Sequence, residues 1–571
     1  MTPSPFHPDS AGFWAPANRR QRLALVALLV LAAAMRWLGI ANTDPTAVVN
    51  MPLPDDAFYY LTLARNAAAG HGLTISADGT PTSGFQPLWG LVLIATQALA
   101  DLGPSFPMVT AAQMLGATLG LAAGLIVLDL VSRLSASPTL GLVAAAGFLL
   151  SPQVLKHQLN GMETSLALMA GLVLLWLNLT LEQWVSSRRY CLLAGALSGL
   201  ALLSRVDLLI LLGAGWLVLF ALQPAILRRV AWPHYLAGLA LPLSAWTLLA
   251  VSLGVSPIPE SGEAVRNLTL MVRHLPLRDL LGSLQRPDLF LPFYGANLLE
   301  FSSAWVRQTP LMLPLTLPLF AAAGVERGVV FSAILAILLF GLAAGVAYHQ
   351  RGTQLGRACA IWLVFTMGAT LAYAFAVLGP WFYQRYTAGI AAIANLILLA
   401  ALASVLFPTR WGSASTVAAA LAMLAGFGAL IGAGSYRWIV AGPSVVGDDG
   451  FYRAAQYIDQ ELPPDTRVGV FSAGLISYYA HQPIMPLDGK VHQGARQALA
   501  EGRMLRFLCQ ADVKYVLDWE QMIRSLVERR SEAWQPGDVQ QVTLIEAAGY
   551  NDLQLVHIAP AACQRALGEL P

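Results

Sequence analysis

The sequence predicts a polytopic α-helical membrane protein with a small α/β domain at its C-terminal end. Three observations predict this. The 571-residue chain is 56% hydrophobic and only 12% charged, with a mean hydropathy of +0.60, where an ordinary soluble domain carries about 25% charged residues. Long apolar stretches recur, many near the roughly 20 residues that a helix needs to cross the hydrocarbon core. The charge is uneven: residues 440–571 hold 27 of the 66 Asp, Glu, Lys and Arg residues, which leaves 66 − 27 = 39 for the first 439. This composition excludes a nucleic-acid binder and a disordered chain, and a net charge of +2 implies no acidic partner. Only Lys156, Lys490 and Lys514 are lysines, against 31 arginines, a bias that hints at a GC-rich bacterial genome.

Residues 1–22 are polar and read as a cytoplasmic tail, too long for the n-region of a cleaved signal peptide. Segment 23–40 is then a retained first span. Further spans are expected at 108–131, 139–155, 164–181, 190–204, 206–223, 232–252, 329–347, 358–378, 388–407 and 414–434. They make about 11 transmembrane helices and a membrane body over 23–439. Two apolar stretches, 87–100 and 310–324, are ambiguous. Basic residues favour the cytoplasmic side. Arg19-Arg20-Arg22, Arg133, Arg188-Arg189, Arg228-Arg229, Arg351 with Arg357, and Arg410 share one side only if neither ambiguous stretch fully crosses. Both are therefore expected as half-inserted or interfacial segments, and 190–223 as a hairpin turning at Ser204-Arg205-Val206-Asp207. The large loops 41–107 and 253–328 and the region 440–571 then lie on the outer face.

The tail alternates helix-like and strand-like segments. Phe451–Leu462 and Gly474–His481 read as helices; Arg467–Phe471, Ile484–Leu487, Val513–Leu517 and Val542–Ile545 read as strands. That order predicts a small α/β domain with a partly parallel sheet. Cys191 and Cys359 lie in apolar runs and read as inert core thiols. Cys509 and Cys563 lie in the tail and could pair in an oxidising compartment if close enough.

The loop after the first span carries the most chemistry. Pro54-Asp55-Asp56-Ala57-Phe58-Tyr59-Tyr60 opens a short helix that closes at Gly70. Acids at a helix N-terminus satisfy orphan N–H groups and the positive dipole end. One acid meets that need. A second, adjacent and repelling the first, beside an aromatic cluster, is a candidate general base.

These residues resemble the first outer loop of GT-C glycosyltransferases. The resemblance rests on Asp55-Asp56-Ala-Phe-Tyr-Tyr, Ala64-Arg65-Asn66, Gly70-His71-Gly72 and Thr82-Ser83-Gly84-Phe85-Gln86-Pro87-Leu88-Trp89. It is similar in particular to the bacterial arabinofuranosyl- and mannosyltransferase-like group. Ser151-Pro152 with Gly161-Met162-Glu163-Thr164, then Ser204-Arg205-Val206-Asp207, Pro257-Ile258-Pro259-Glu260-Ser261-Gly262 and Leu487-Asp488-Gly489 match further motifs in order, from about 23 to 520. Val206 stands where Pro is usual, and Arg266 where Lys is common. The resemblance implies an inverting transfer from a polyprenyl-phosphate sugar to an acceptor hydroxyl on a glycan, glycolipid or protein. An outer-loop Asp would act as base, with Asp55 slightly preferred over Asp56.

Cations expected on the outer face defy the orientation trend, and an always-protonated Arg suits a leaving phosphate. Arg205, Arg385, Lys156 and Arg266, with Tyr386, are the candidates for donor phosphate; His157 and Arg273 share that face. Each has a plainer reading: an ion pair of Arg205 with Asp207 or Glu163, an interfacial belt for Arg385, a helix-end charge for Lys156. Glu163, His71, Gln86, Trp89 and Glu260 are candidates for sugar or acceptor, although Glu163 also suits a helix N-terminus, and His71 a plain loop. Asp488 and Lys490 read as a strand-end turn. A hard divalent ion (Mg, Mn or Ca) is conceivable among carboxylates, but no motif demands one. A transporter or flippase would need ionisable groups at midspan or repeated halves; the acids and bases here cluster at outer helix ends. A non-catalytic assembly subunit would tolerate loss of the Asp pair.

Overall fold

The computed structural model describes residues 19–43, 53–101, 107–273, 275–278, 280–309, 313–406, 448–528, 534–535, 537–545 and 552–568. Among these, five helices are long and apolar enough to cross a membrane: α1 (Arg19–Ala41), Met108–Ser135, Trp232–Ser252, Arg327–His349 and Gln354–Val377. Two bent pairs bring the number to as many as seven: Pro138–Leu149 with Pro152–Gln158, at 62°, and Pro380–Tyr386 with Ala388–Ala401, at 45°. Lipid-facing character shows in exposed apolar side chains such as Leu248 at 72% and Ile337 at 71%, which water would not tolerate on this scale.

The eleven expected spans are thus not all full-length. Thr164–Leu179, Arg188–Ser204 and Leu208–Leu222 have 16, 17 and 15 residues, so each is about 23–26 Å long against a core of about 30 Å. The chain breaks between the last two at the expected turn, where Arg205 is extended. The span expected at 414–434, with Arg410, lies outside the described residues, as does most of the N-terminal tail. Residues 313–324 of the second ambiguous stretch run without a break into the expected span 329–347, in the 37-residue helix Leu313–His349, of which Arg327–His349 is long and apolar enough to cross. The charged pair Glu326-Arg327 does not break it, since neither residue opposes helix.

Close approach in the bundle uses small residues. The 188–204 and 232–252 helices meet so tightly that a Cβ on Gly195 would lie 2.0 Å from the Tyr235 carbonyl oxygen, and one on Gly238 would lie 2.0 Å from that of Leu192.

The tail folds around a five-stranded sheet: β1 (Val468–Val470), β2 (Ile484–Pro486), β3 (Tyr515–Trp519), β4 (Val539–Ile545) and β5 (Leu553–Ile558), in the order β2-β1-β3-β5-β4. Strand β1 pairs parallel with β2 and β3, and β5 pairs antiparallel with β3 and β4. Helices Gln493–Glu501, Met504–Gln510 and Pro560–Leu567 cover it. Cys509 and Cys563 form a disulfide with their Cα atoms 5.3 Å apart, while Cys191 and Cys359 are free and buried.

Helix α2 (Asp55–Ala68) lies between the bundle and this domain. Its residues Ala57 to Ala64 are all buried, as expected of a helix apolar on every face. Phe58 packs on Tyr478 and Tyr479 of the tail. On the other side, Trp89 of α3 (Pro87–Ala100) is fully buried and donates to the Gly161 carbonyl at 3.0 Å.

Candidate active site

Side chains four residues apart share a face of a helix, and α2 uses this to divide its functional groups. Asp55 and Tyr59 face the tail. The Asp55 carboxylate accepts from the Leu475 N–H at 2.7 Å and the Gly474 N–H at 3.2 Å. It therefore caps the tail helix Gly474–Tyr479 rather than its own. Arg65 donates to the carbonyls of Ser477 and Tyr478 at the other end of that helix, at 3.0 and 2.8 Å. The two helices lie with opposite charges at opposite dipole ends. Packing is too tight for any side chain at Gly474, where a Cβ would fall 2.0 Å from the Asp55 carbonyl oxygen.

Asp56 and Tyr60 face the bundle. Asp56 is held by Arg385 at 3.0 Å and Lys490 at 2.9 Å. Lys490 also reaches Asp488 at 3.2 Å, and Asp488 accepts from the Tyr59 hydroxyl at 3.0 Å. Tyr60 donates to Glu163 at 3.0 Å and accepts from the Gln86 backbone N–H. Glu163 in turn meets Arg205 at 3.3 Å. Arg205 completes a buried network with Asp207 at 2.8 Å and the Tyr373 hydroxyl at 2.9 Å, under the Tyr386 ring at 5.0 Å. Arg385 lies over Phe382 and Tyr386, at 4.6 and 5.5 Å. Its Nη1 meets the Met162 sulfur at 2.9 Å, and its buried Nε–H has no acceptor among the described residues.

The adjacent acids are pushed apart. Burial raises the Asp55 carboxyl, the Leu475 and Gly474 N–H groups and Lys490 pull it back, and the Asp56 charge adds to the rise; the result is about 6. Burial would raise Asp56 too, but Lys490 and Arg385 overcome it and hold the carboxyl at about 2. Neighbouring titratable groups with opposed environments are how acid and base roles separate. Asp518, which accepts from the Phe471 and Ser472 N–H groups, is raised by burial to about 7.

The expected site residues therefore sort themselves. Asp56, Arg385, Tyr386, Arg205, Glu163 and Gln86 converge; Asp55 stands beside Asp56 on α2, on the side facing the tail, within reach of the Asp56 and Lys490 charges. For Arg205 the plain ion-pair reading is realised as well; Glu163 stands at the N-terminal end of the 164–179 helix as its plain reading has it, but its side chain makes no capping bond there. Trp89 supports the floor through its bond to Gly161. His71 is exposed between Gly70 and Gly72, whose φ values are +84° and +83°, and does not join the cluster. Arg266 is turned away, donating to the carbonyls of Arg278 and Ala376. Glu260 pairs with Arg496 at 3.0 Å, tying the second large loop to the tail. Lys156 is exposed, and no hydrogen bond or ion pair links it to Asp56. His157 is paired with Gln308.

The turn reading of Asp488 and Lys490 is half the story. Gly489 does turn there, at φ +74°, but the turn delivers both side chains to the Asp56 cluster. Tyr59 and Asp518 are further members that sequence reasoning missed. Tyr59 was visible as the residue four after Asp55; Asp518 gave no signal. Among the described residues, no three His, Cys, Asp or Glu side chains converge as metal ligands. The carboxylates at the site are met instead by protein N–H, guanidinium and ammonium donors.

A family model described as "Domain of unknown function (DUF8728)" matches residues 444–558. No curated protein matches the chain. Among solved structures, the chain is similar to the archaeal oligosaccharyltransferase AglB from Archaeoglobus fulgidus in complex with an inhibitory peptide and a dolichol-phosphate. That match has 15% identity and a TM-score of 0.47, over 89% of this chain and 71% of that one. The Archaeoglobus fulgidus oligosaccharyltransferase in complex with Zn and sulfate gives 16% identity and a TM-score of 0.49, over 86% and 67%. ArnT from Cupriavidus metallidurans bound to undecaprenyl phosphate gives 13% identity and a TM-score of 0.41, over 93% and 97%.

Proposed function

We propose that the chain is an integral membrane inverting glycosyltransferase. It moves a sugar from a polyprenyl-phosphate donor to an acceptor hydroxyl in cell-envelope glycan assembly or glycosylation. The observation that carries this reading is the geometry of the adjacent acids on α2: Asp56 is clamped by Arg385 at 3.0 Å and Lys490 at 2.9 Å, while Asp55 accepts only from the Gly474 and Leu475 N–H groups among the described residues, and burial raises its carboxyl to about 6. A general base works best with a pKa near the operating pH, so Asp55 is the base and Asp56 the anchor. Asp55 takes the acceptor's hydroxyl proton, and the acceptor oxygen bonds to the anomeric carbon. The bond from that carbon to the phosphate oxygen breaks, and polyprenyl phosphate leaves from the opposite face with the electron pair. Arg385 faces the leaving phosphate, and its Nε–H, which has no acceptor among the described residues, is available to the growing charge. Arg205 and Tyr386 brace it from behind. Glu163 and the Gln86 side chain, whose buried oxygen has no donor among the described residues, offer acceptors to sugar hydroxyls.

The Cys509–Cys563 bridge supports an oxidising compartment for the tail. Together with the basic loops it supports a bacterial inner membrane location, with the N-terminus cytoplasmic and the site periplasmic. Arabinofuranose and mannose are the first sugars to try; the acceptor is a polysaccharide, glycolipid or protein. A transporter or flippase is disfavoured by the site's position where α2 meets the tail rather than at midspan. The test is incubation of the purified protein with a panel of polyprenyl-phosphate sugars. Sugar transfer or donor hydrolysis with one donor supports the reading. Donor binding without turnover by any donor–acceptor pair would favour an assembly subunit, and neither binding nor turnover would return weight to a transporter.

A further inference from the structure

Lys490 stands between two carboxylates that come from different parts of the chain. Its ammonium is 2.9 Å from Asp56 of α2 and 3.2 Å from Asp488 of the tail. The lysine and Asp56 side chains are 12% and 14% exposed, and Asp488 only 1%. The rings of Phe382 and Tyr59 flank the ammonium at 5.3 and 5.7 Å. Two converging buried carboxylates need a proton on one of them or a cation between them. A hard divalent ion with oxygen ligands is one such cation, and a compact ammonium, which this site has, is another. The flat guanidinium fork of Arg is a poorer wedge between two acids than the point charge of Lys. In a chain with 31 arginines and three lysines, a lysine here departs from the coding bias. The backbone enforces its place: a Cβ on Gly84 would lie 1.8 Å from the Lys490 carbonyl oxygen, so the first loop packs directly on the lysine's own main chain.

We propose that Lys490 is a positioning residue of the active site. It supplies, from the C-terminal domain, the fixed cation that a divalent metal would otherwise provide between Asp56 and Asp488. The site is complete only with the tail docked, and transfer proceeds without a divalent ion. Lys490 holds Asp56 as an anion in place, and Asp56 aims Arg385. The activity part of this proposal rests on the glycosyltransferase reading; the cation site itself does not.

The experiment uses the full chain in detergent, as wild type, Lys490→Ala and the double variant Lys490→Ala/Asp488→Asn. Transfer is measured in EDTA, then with Mn2+ or ethylammonium added, and Mn2+ binding is read by electron paramagnetic resonance. Wild type is expected to keep its full rate in EDTA. Lys490→Ala is expected to lose about 100-fold, the scale of a misplaced catalytic group, with donor KM little changed. It should bind one Mn2+ that wild type and the double variant do not, and recover at least about tenfold with Mn2+ or ethylammonium. Wild-type activity lost in EDTA would overturn the proposal, as would full activity of Lys490→Ala in EDTA. So would a folded Lys490→Ala that neither binds Mn2+ nor is rescued. Should Lys490→Ala not fold, Lys490→Met keeps the apolar stem and is judged by the same outcomes. If wild type transfers no sugar at all, the glycosyltransferase reading fails, while Mn2+ binding by the variant still decides the cation site.

Discussion

The raised carboxyl of Asp55 makes a pH prediction that its neighbour cannot mimic. A base must be ionised to accept a proton. With a pKa of about 6, roughly 90% of Asp55 is ionised at pH 7 and roughly 10% at pH 5, so kcat/KM should fall about tenfold over that interval. Asp56, held at about 2, stays ionised throughout and would give a flat profile. Asp518, at about 7, is the competing source of an acid limb, but it bonds to the Phe471 and Ser472 N–H groups behind Asp55. The assay is the initial rate of sugar transfer between pH 5 and 8 for wild type, Asp55→Asn and Asp518→Asn. Asp55→Asn should cut the rate by about 10²- to 10⁴-fold and flatten what remains. Its amide oxygen can still accept one tail N–H, so the fold should persist. Asp518→Asn should keep the limb near pH 6. A flat wild-type profile, or a limb that vanishes only in Asp518→Asn, would refute the assignment of the base.

Three further outcomes are expected. Arg205→Met leaves Glu163 and Asp207 facing each other in a buried site, and removing one partner of such a network costs about 3–5 kcal/mol, which a thermal unfolding scan would read; an unshifted transition would mean the network is idle. Gly84→Ala and Gly474→Ala drive a methyl into backbone atoms of Lys490 and Asp55, at 1.8 and 2.0 Å, and should lower transfer rate with little effect on tail secondary structure seen by circular dichroism. Reducing the Cys509–Cys563 bridge, which spans 54 residues, should cost the tail about 4 kcal/mol by loop-closure entropy, visible as earlier urea unfolding of that domain in the Cys563→Ser variant.

Much of the fold is legible because apolar length and the charge gradient report directly on lipid and water. The tail's helix and strand order is legible through Phe451–Leu462 and Ile484–Leu487. Strand β5 is not, although Gly549 and Asn551-Asp552 offer a turn before Leu553-Gln-Leu-Val-His-Ile558; six residues are too short a run for alternation alone to separate strand from loop. The continuity of the 313–349 helix is not legible because the sidedness of the basic loops bears on which stretches cross the membrane and not on where a helix begins. At the site, Asp55 and Asp56 announce themselves by adjacency, and Arg205 and Arg385 by defying the orientation trend. Lys490 could not be placed, because its partner Asp56 is 434 positions away and only tail docking brings them together. Arg266 and Glu260 show the converse. Their loop suggested function, but a carbonyl cage and Arg496 absorb their charge.

The most direct test of the central claim is one comparison: product formed by wild type and by Asp55→Asn from the polyprenyl-phosphate sugar that the panel selects, with the anomeric configuration of the product determined by nuclear magnetic resonance. The account predicts a product of inverted configuration from wild type and at least about 100-fold less from the variant. Retained configuration, or an Asp55→Asn enzyme as fast as wild type, would contradict it.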